Sequence, residues 1–251
     1  MRLILVGGCF PVQHNIPAER LYYRTTLRVL AEAGVCATAA VGRYERFATG
    51  LAAAETAVGP SPLPADVLVF HLRAEPVLRA SRLVYTYLDD AKRRRRSLTV
   101  LGRCPAAERH DVLAARPATP PSPPPPPGPL RDLLVAANYR LGRAVGNEAA
   151  ALRAYARLVV AVEALARERS VRLLFVGPVS RPCRASEDAL SGRVEQAFAA
   201  PLASRGTVYL PVLGRADEHG QDLFFPNGIH VSQAGHDRIG RRIAERILLV
   251  E

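Results

Sequence analysis

Four short apolar runs punctuate the chain: Leu3–Val6, Val67–Leu72, Val171–Val176 and Val208–Leu213. Each is too short for a buried helix and too continuously apolar for a strand with one wet face. Each therefore reads as a strand covered on both sides, as in a parallel sheet. Cys36–Val41 is a weaker fifth run. Helical periodicity fills the gaps. Ala18–Ala33 carries Leu21, Leu27, Val29 and Leu30 on one face. Ala149–Glu168 carries Leu152, Tyr155, Leu158, Val159, Val162 and Leu165 at helical spacing. Ser186–Ala199 and Gln233–Leu248 add two more helices. Alternation of this kind predicts a doubly wound parallel sheet of five strands between two helical layers. A chain of 251 residues, 49% of them hydrophobic, can fill one such domain.

The interval from about Arg93 to Gly146 breaks the rhythm. It contains PATPPSPPPPPGP, residues 117–129. Consecutive prolines have no amide hydrogen and a fixed φ, so they form neither helix nor central strand. A stiff polyproline insertion or linker is expected over about residues 104–130, with a proline ligand for a partner domain as the alternative. RDLLVAANYRL then resumes as a helix over about residues 130–142, a candidate lid. No internal repeat is visible.

The net charge of +11 raises the question of nucleic acid. The charge is spread along the chain, and its one dense run, Lys92–Arg96, has no interleaved aromatic residues to stack on bases. A solvated basic face or an anionic substrate is expected instead. Cys9, Cys36, Cys104 and Cys183 match neither zinc-site spacing nor a small disulfide framework. No cluster of metal ligands and no glycine-rich nucleotide loop is present, so no cofactor and no metal are expected. No segment reaches the ~18 apolar residues of a membrane span. Eight residues before Cys9 are too few for a lipoprotein signal, and the expected location is the cytoplasm.

Ligands of doubly wound sheets sit beyond the carboxyl ends of the strands. Cys9 lies there, after Gly7 and Gly8, which free the backbone to turn. A thiol in that place is positioned for nucleophilic chemistry. Its base is sought in FFPNGIHVSQAGHDRIG, residues 224–240. Pro226-Asn227-Gly228 is turn chemistry, His230 follows, and Ser232 is the expected N-cap of the last helix. Asn227 is placed to accept a hydrogen bond from the imidazole.

This layout resembles the SGNH, or GDSL-type, hydrolases. Gly7-Gly8-Cys9 falls where that family has Gly-Asp-Ser, and Asn227-Gly228-Ile229-His230 falls where it has Asp-x-x-His. The unit Ala149–Pro178, ending VRLLFVGPV, looks like the family's penultimate helix and strand. The resemblance covers the chain outside about residues 93–146, and implies strand order 2-1-3-4-5 in one domain. Two replacements stand out: Cys9 for serine and Asn227 for aspartate. They read either as an inactive, ligand-binding or scaffolding relative, or as a working Cys9–His230–Asn227 triad. In the second reading a thiol ionises against histidine beforehand, so the third group must orient the ring more than carry charge. Papain-like proteases on another fold use Cys-His-Asn in this way.

The resemblance also implies an oxyanion hole. Its donors would be the N–H of Cys9, a glycine after the second strand, and a group after the third. Gly42 is the candidate glycine, with Gly50 the alternative, and Gly8 belongs to the same turn. After the third strand VFHLRAEP, residues 69–76, departs from the family pattern and offers Arg73 and Glu75. A carboxylate cannot donate to an oxyanion, whereas a guanidinium can hold one or bind an anionic substrate group. A surface Arg73–Glu75 pair is the alternative. His14 is a candidate to line the site, with a plain loop residue as the alternative. His71 is expected in the buried strand, His236 in a structural role, and Cys36 in strand core. His110, His219, Cys104 and Cys183 read as loop residues. The expected activity is acyl transfer through an enzyme thioester: an esterase, thioesterase or acyltransferase acting on a small-molecule or carrier-bound acyl group. The resemblance and the unusual triad place it in specialised metabolism.

Overall fold

A computed structural model describes residues 1–8, 16–44, 47–88, 94–98, 129–179, 185–211, 223–225 and 230–249. The apolar runs form a five-stranded parallel sheet built from β1 (Arg2–Gly7), β2 (Thr38–Arg43), β3 (Val67–His71), β6 (Arg172–Val176) and β7 (Val208–Leu210). Their spatial order is β2-β1-β3-β6-β7, the expected 2-1-3-4-5. In register, Val6 faces Gly42 of β2 and Phe70 of β3, and His71 faces Val176. The switch from β1 outward in both directions puts the ligand crevice at the carboxyl ends of β1 and β3.

Alternation along the strands divides the core. Ile4, Val6, Leu68 and Phe70 point to one face. There they pack against α2 (Phe47–Val58), α3 (Ala74–Ala80), α5 (Asn147–Glu168) and α6 (Ala185–Ser204). Leu3, Leu5, Val67 and Val69 point to the other, under α1 (Tyr22–Glu32) and α7 (Gln233–Leu248). The expected apolar face of α5 is real: Tyr155, Leu158, Val159, Val162 and Leu165 are all buried. With α4 (Pro129–Ala144) there are seven α-helices among the described residues. None of them is long and apolar enough to cross a membrane.

Several expectations are amended. The helix expected over Ala18–Ala33 is a 3₁₀ turn, Ala18–Arg20, followed by α1, because Leu21 is extended at ψ 150°. β5 (Arg94–Leu98), at the start of the irregular interval, pairs antiparallel with β4 (Val84–Leu88), which precedes it. Cys36 is not strand core: β2 begins two residues later, and the cysteine is exposed. The Pro-rich run before Pro129 lies outside the described residues. The candidate lid helix is α4. Asn138 anchors it, accepting from the Val84 amide at 2.8 Å and donating to the Val84 carbonyl at 2.7 Å. Buried Tyr139 hydrogen-bonds Glu148 of α5 and accepts from Arg193 of α6. Leu133 and Leu134, in its first half, are largely exposed.

Candidate active site at the carboxyl edge of the sheet

β1 ends at Gly7, and the next residue, Gly8, meets a cation. A side chain at Gly8 would collide with the Arg73 guanidinium where it now lies, so this glycine leaves the space that the cation occupies. Arg73 stands two residues beyond β3 and is held from several sides. Its Nη1 donates to the Tyr44 carbonyl at 2.7 Å, and its Nη2 to Glu75 Oε2 at 2.6 Å. Its guanidinium carbon lies 5.6 Å from the Tyr44 ring centroid. The Arg73–Glu75 pair is thus no exposed surface bridge: the two side chains keep only 13% and 22% of their accessibility. Arg73 is thus paired with Glu75 and lies against Gly8, at the end of β1.

A directed chain of hydroxyls supports this arginine. Tyr44 O–H donates to the His71 carbonyl at 2.6 Å. That proton is committed, so at the 2.9 Å contact between the two phenols Tyr155 is the donor. Tyr155 in turn accepts from the Arg73 amide at 2.5 Å. The Tyr44 amide donates to the Gly7 carbonyl at 2.8 Å. Burial, with its partner Tyr155, raises the Tyr44 pKa, and burial pushes Tyr155 up to about 12 despite Arg73, so both stay neutral. Tyr155 was expected on the apolar face of its helix, but these contacts, made across 82 and 111 positions, were not legible.

His71 is the buried strand histidine expected. Its Nε2 lies 2.6 Å from the Tyr22 hydroxyl. Burial, and then the Arg73 charge, drive its pKa down to about 3, so it is neutral and no base. His236 is structural, as expected. It is fully buried in α7, and burial lowers its pKa to about 4.

His230 is half-buried just before α7. A bridge between Phe224 and Val231 holds it from one side. Its carbonyl accepts from the Phe225 amide at 2.9 Å. On the other side Ser232 caps α7, its Oγ accepting from the Gly235 amide at 3.2 Å. The far end of α7 lies by the amino edge of the sheet, where Arg246 and Ile247 line a small cavity with Val67 and Arg172. Its N-terminal end, bearing His230, therefore points to the carboxyl edge.

Gly42 lies inside β2, two residues short of Tyr44. A Cβ there would stand 2.9 Å from the Ala53 carbonyl, so this glycine admits α2 to the sheet. Gly50 is within α2, against Leu158. Among the described residues, then, Gly8, Arg73 and Glu75 come together, and neither Gly42 nor Gly50 joins them. Cys9, His14 and Asn227 lie outside the described residues, as do His110, His219, Cys104 and Cys183.

No protein-family profile and no curated protein matches the chain. Solved structures do. The crystal structure of TesA superposes with a TM-score of 0.55 at 13% identity, covering 99% of this chain and 98% of that one. A member of the lipolytic protein G-D-S-L family from Veillonella parvula DSM 2008 gives 0.56 at 11% identity, covering 98% and 97%. At such identities the likeness is one of fold, and the fold is shared over the whole chain.

Proposed function

We propose that this chain, which has the fold of the SGNH/GDSL hydrolases, is an acyl-transfer enzyme with Cys9 as nucleophile. One observation carries the reading: the chain immediately before Cys9 passes beneath an almost buried arginine at the carboxyl end of the first strand. That is where a doubly wound sheet places its ligand. A structural ion pair has no need of that position.

In the proposed reaction His230 takes the Cys9 proton and Asn227 orients the imidazole. The thiolate attacks the acyl carbonyl, forming a C–S bond and an oxyanion. The Cys9 amide and Arg73 donate to that oxyanion. Collapse expels the leaving group, which takes the proton from His230 and leaves an acyl thioester. Water or a second nucleophile, deprotonated by His230, then releases the acyl group and restores the thiol. Thioesters yield readily to amines and thiols, which favours thioesterase or acyltransferase work over simple ester hydrolysis. A small-molecule or carrier-bound acyl donor fits this chemistry, in the cytoplasm.

The test is the pH dependence of iodoacetamide labelling at Cys9, read by peptide mass spectrometry in wild type and His230→Ala. The expected labelling pKa lies well below the free-thiol value of ~8.5 and rises when His230 is removed. Slow labelling with an ordinary pKa, indifferent to His230, would refute catalysis and point to a ligand-binding relative of the hydrolases.

A further inference from the structure

We infer that Arg73 and Glu75 act as opposed charges on the nucleophile, Arg73 favouring the Cys9 thiolate and Glu75 moderating it. The inference rests on the reading of Cys9 as nucleophile. It adds a second cation to the site, independent of His230.

The argument begins with fixed placement. The Arg73 guanidinium occupies the space a Gly8 side chain would need, one peptide bond before the thiol-bearing residue. Hydrogen bonds to the Tyr44 carbonyl and to Glu75 hold it there. Its backbone is fixed through Tyr155. A cation with little solvent exposure acts on its surroundings through a lower effective dielectric than a surface arginine.

Several buried neighbours of Arg73 carry no charge near pH 7. Tyr44, just after β2, Tyr155, from α5, and His71, from β3, also interact with Arg73. All three are neutral near pH 7: burial raises both phenols and lowers the imidazole. Glu75, in the first turn of α3, supplies the opposing charge. The guanidinium at the end of β1 is therefore tempered by the Glu75 carboxylate.

This makes a prediction of sign that a structural ion pair does not share. Removing either partner of a structural pair weakens the same local order, so both substitutions should perturb Cys9 alike. Opposed charges must shift it in opposite directions. The experiment is the iodoacetamide labelling pKa of Cys9 in Arg73→Gln, Arg73→Lys and Glu75→Gln, each also in a His230→Ala background, with thermal melts to verify folding. Arg73→Gln should raise the labelling pKa by about one unit, and Glu75→Gln should lower it by about half a unit. Arg73→Lys, which keeps the charge, should lie closer to wild type. The shifts should persist without His230.

Shifts of the same sign, or none, in Arg73→Gln and Glu75→Gln would overturn the inference. Should Arg73→Gln fail to fold, an unchanged pKa in Glu75→Gln alone overturns it. Dependence on His230 without dependence on Arg73 and Glu75 would leave the triad standing and remove this inference. Dependence on Arg73 and Glu75 without His230 would do the reverse.

Discussion

The backbone amide of Tyr22 donates to Nδ1 of His236 at 3.1 Å, across 214 positions of sequence. The two rings also stack, with centroids 6.1 Å apart and planes 18° from parallel. An imidazole that accepts at Nδ1 carries its proton at Nε2, so this contact fixes the neutral tautomer. The hydroxyl of the same tyrosine reaches His71. One residue at the head of α1 thus joins two buried histidines from β3 and α7.

Acid should unfold this protein steeply. His71 and His236 have folded pKa values near 3 and 4, below the ordinary histidine value, chiefly through burial. Unfolded, each binds a proton below pH ~6.5; folded, it does not. Their neutral burial is therefore without penalty above that pH, and stability falls as pH drops towards 4. Each histidine contributes a slope of ~1.4 kcal/mol per pH unit, about 2.7 together. Urea titrations at pH 7, 6 and 5 measure this slope, and His71→Gln should remove about half of it. A slope unchanged in the variant would contradict the assignment.

Gly240→Ala should loosen the α1–α7 interface. Its Cβ would press on the Tyr22 carbonyl and stand 2.7 Å from Thr25 Cβ. The Thr26 hydroxyl also bridges the Tyr22 and Gly240 carbonyls at 3.1 Å each. Backbone cannot rotate away as a side-chain tip can, so a loss of about 1–3 kcal/mol is expected in denaturant unfolding. A melting temperature equal to wild type would contradict it.

Gly8→Ala should behave in the opposite way. The obstacle there is the tip of Arg73, which can swing aside. Stability should fall less than in Gly240→Ala, while iodoacetamide labelling of Cys9 at pH 7 slows several-fold. A fully reactive thiol in Gly8→Ala would argue that the arginine has no part in the site.

The directed hydroxyl chain predicts non-additivity. Tyr44→Phe removes the acceptor of Tyr155 and the donor to the His71 carbonyl, leaving buried groups unsatisfied at about 1–3 kcal/mol. Tyr155→Phe strands the Arg73 amide at similar cost. The double variant should lose measurably less than the sum, because the bond between the two phenols is counted in both singles. Strict additivity would mean that the phenols do not interact.

Much of the frame was legible because it rests on local pattern. Short apolar runs marked four strands of the main sheet, and the weaker run at Cys36–Val41 overlapped the fifth, β2. Ser232 and the spacing after it marked α7 at Gln233–Leu248 without error. α2 escaped because FATGLAAAETAV is rich in small residues and has no strong apolar stripe. α3 escaped because it is seven residues long with Pro76 inside it. The β5 strand was hidden by Arg94–Arg96, charges that read as a solvated run. Arg73 and Glu75 were found only through the family resemblance, which puts site groups after the third strand; nothing local showed that Gly8 lies under the guanidinium. Contacts such as Tyr44 with Tyr155 are made by topology, and no sequence window contains both partners.

The clasp between the two ends of the chain also sets a timetable. The buried face of α1, with Tyr22, Thr26 and Leu30, is covered by α7, which contains Ile239 and Ile243. On the ribosome α1 emerges long before its cover. At roughly 5–20 residues per second, that face waits roughly ten to forty seconds for its mate. His230 is made just before α7, so the nascent protein holds Cys9 throughout the interval without the histidine proposed to activate it.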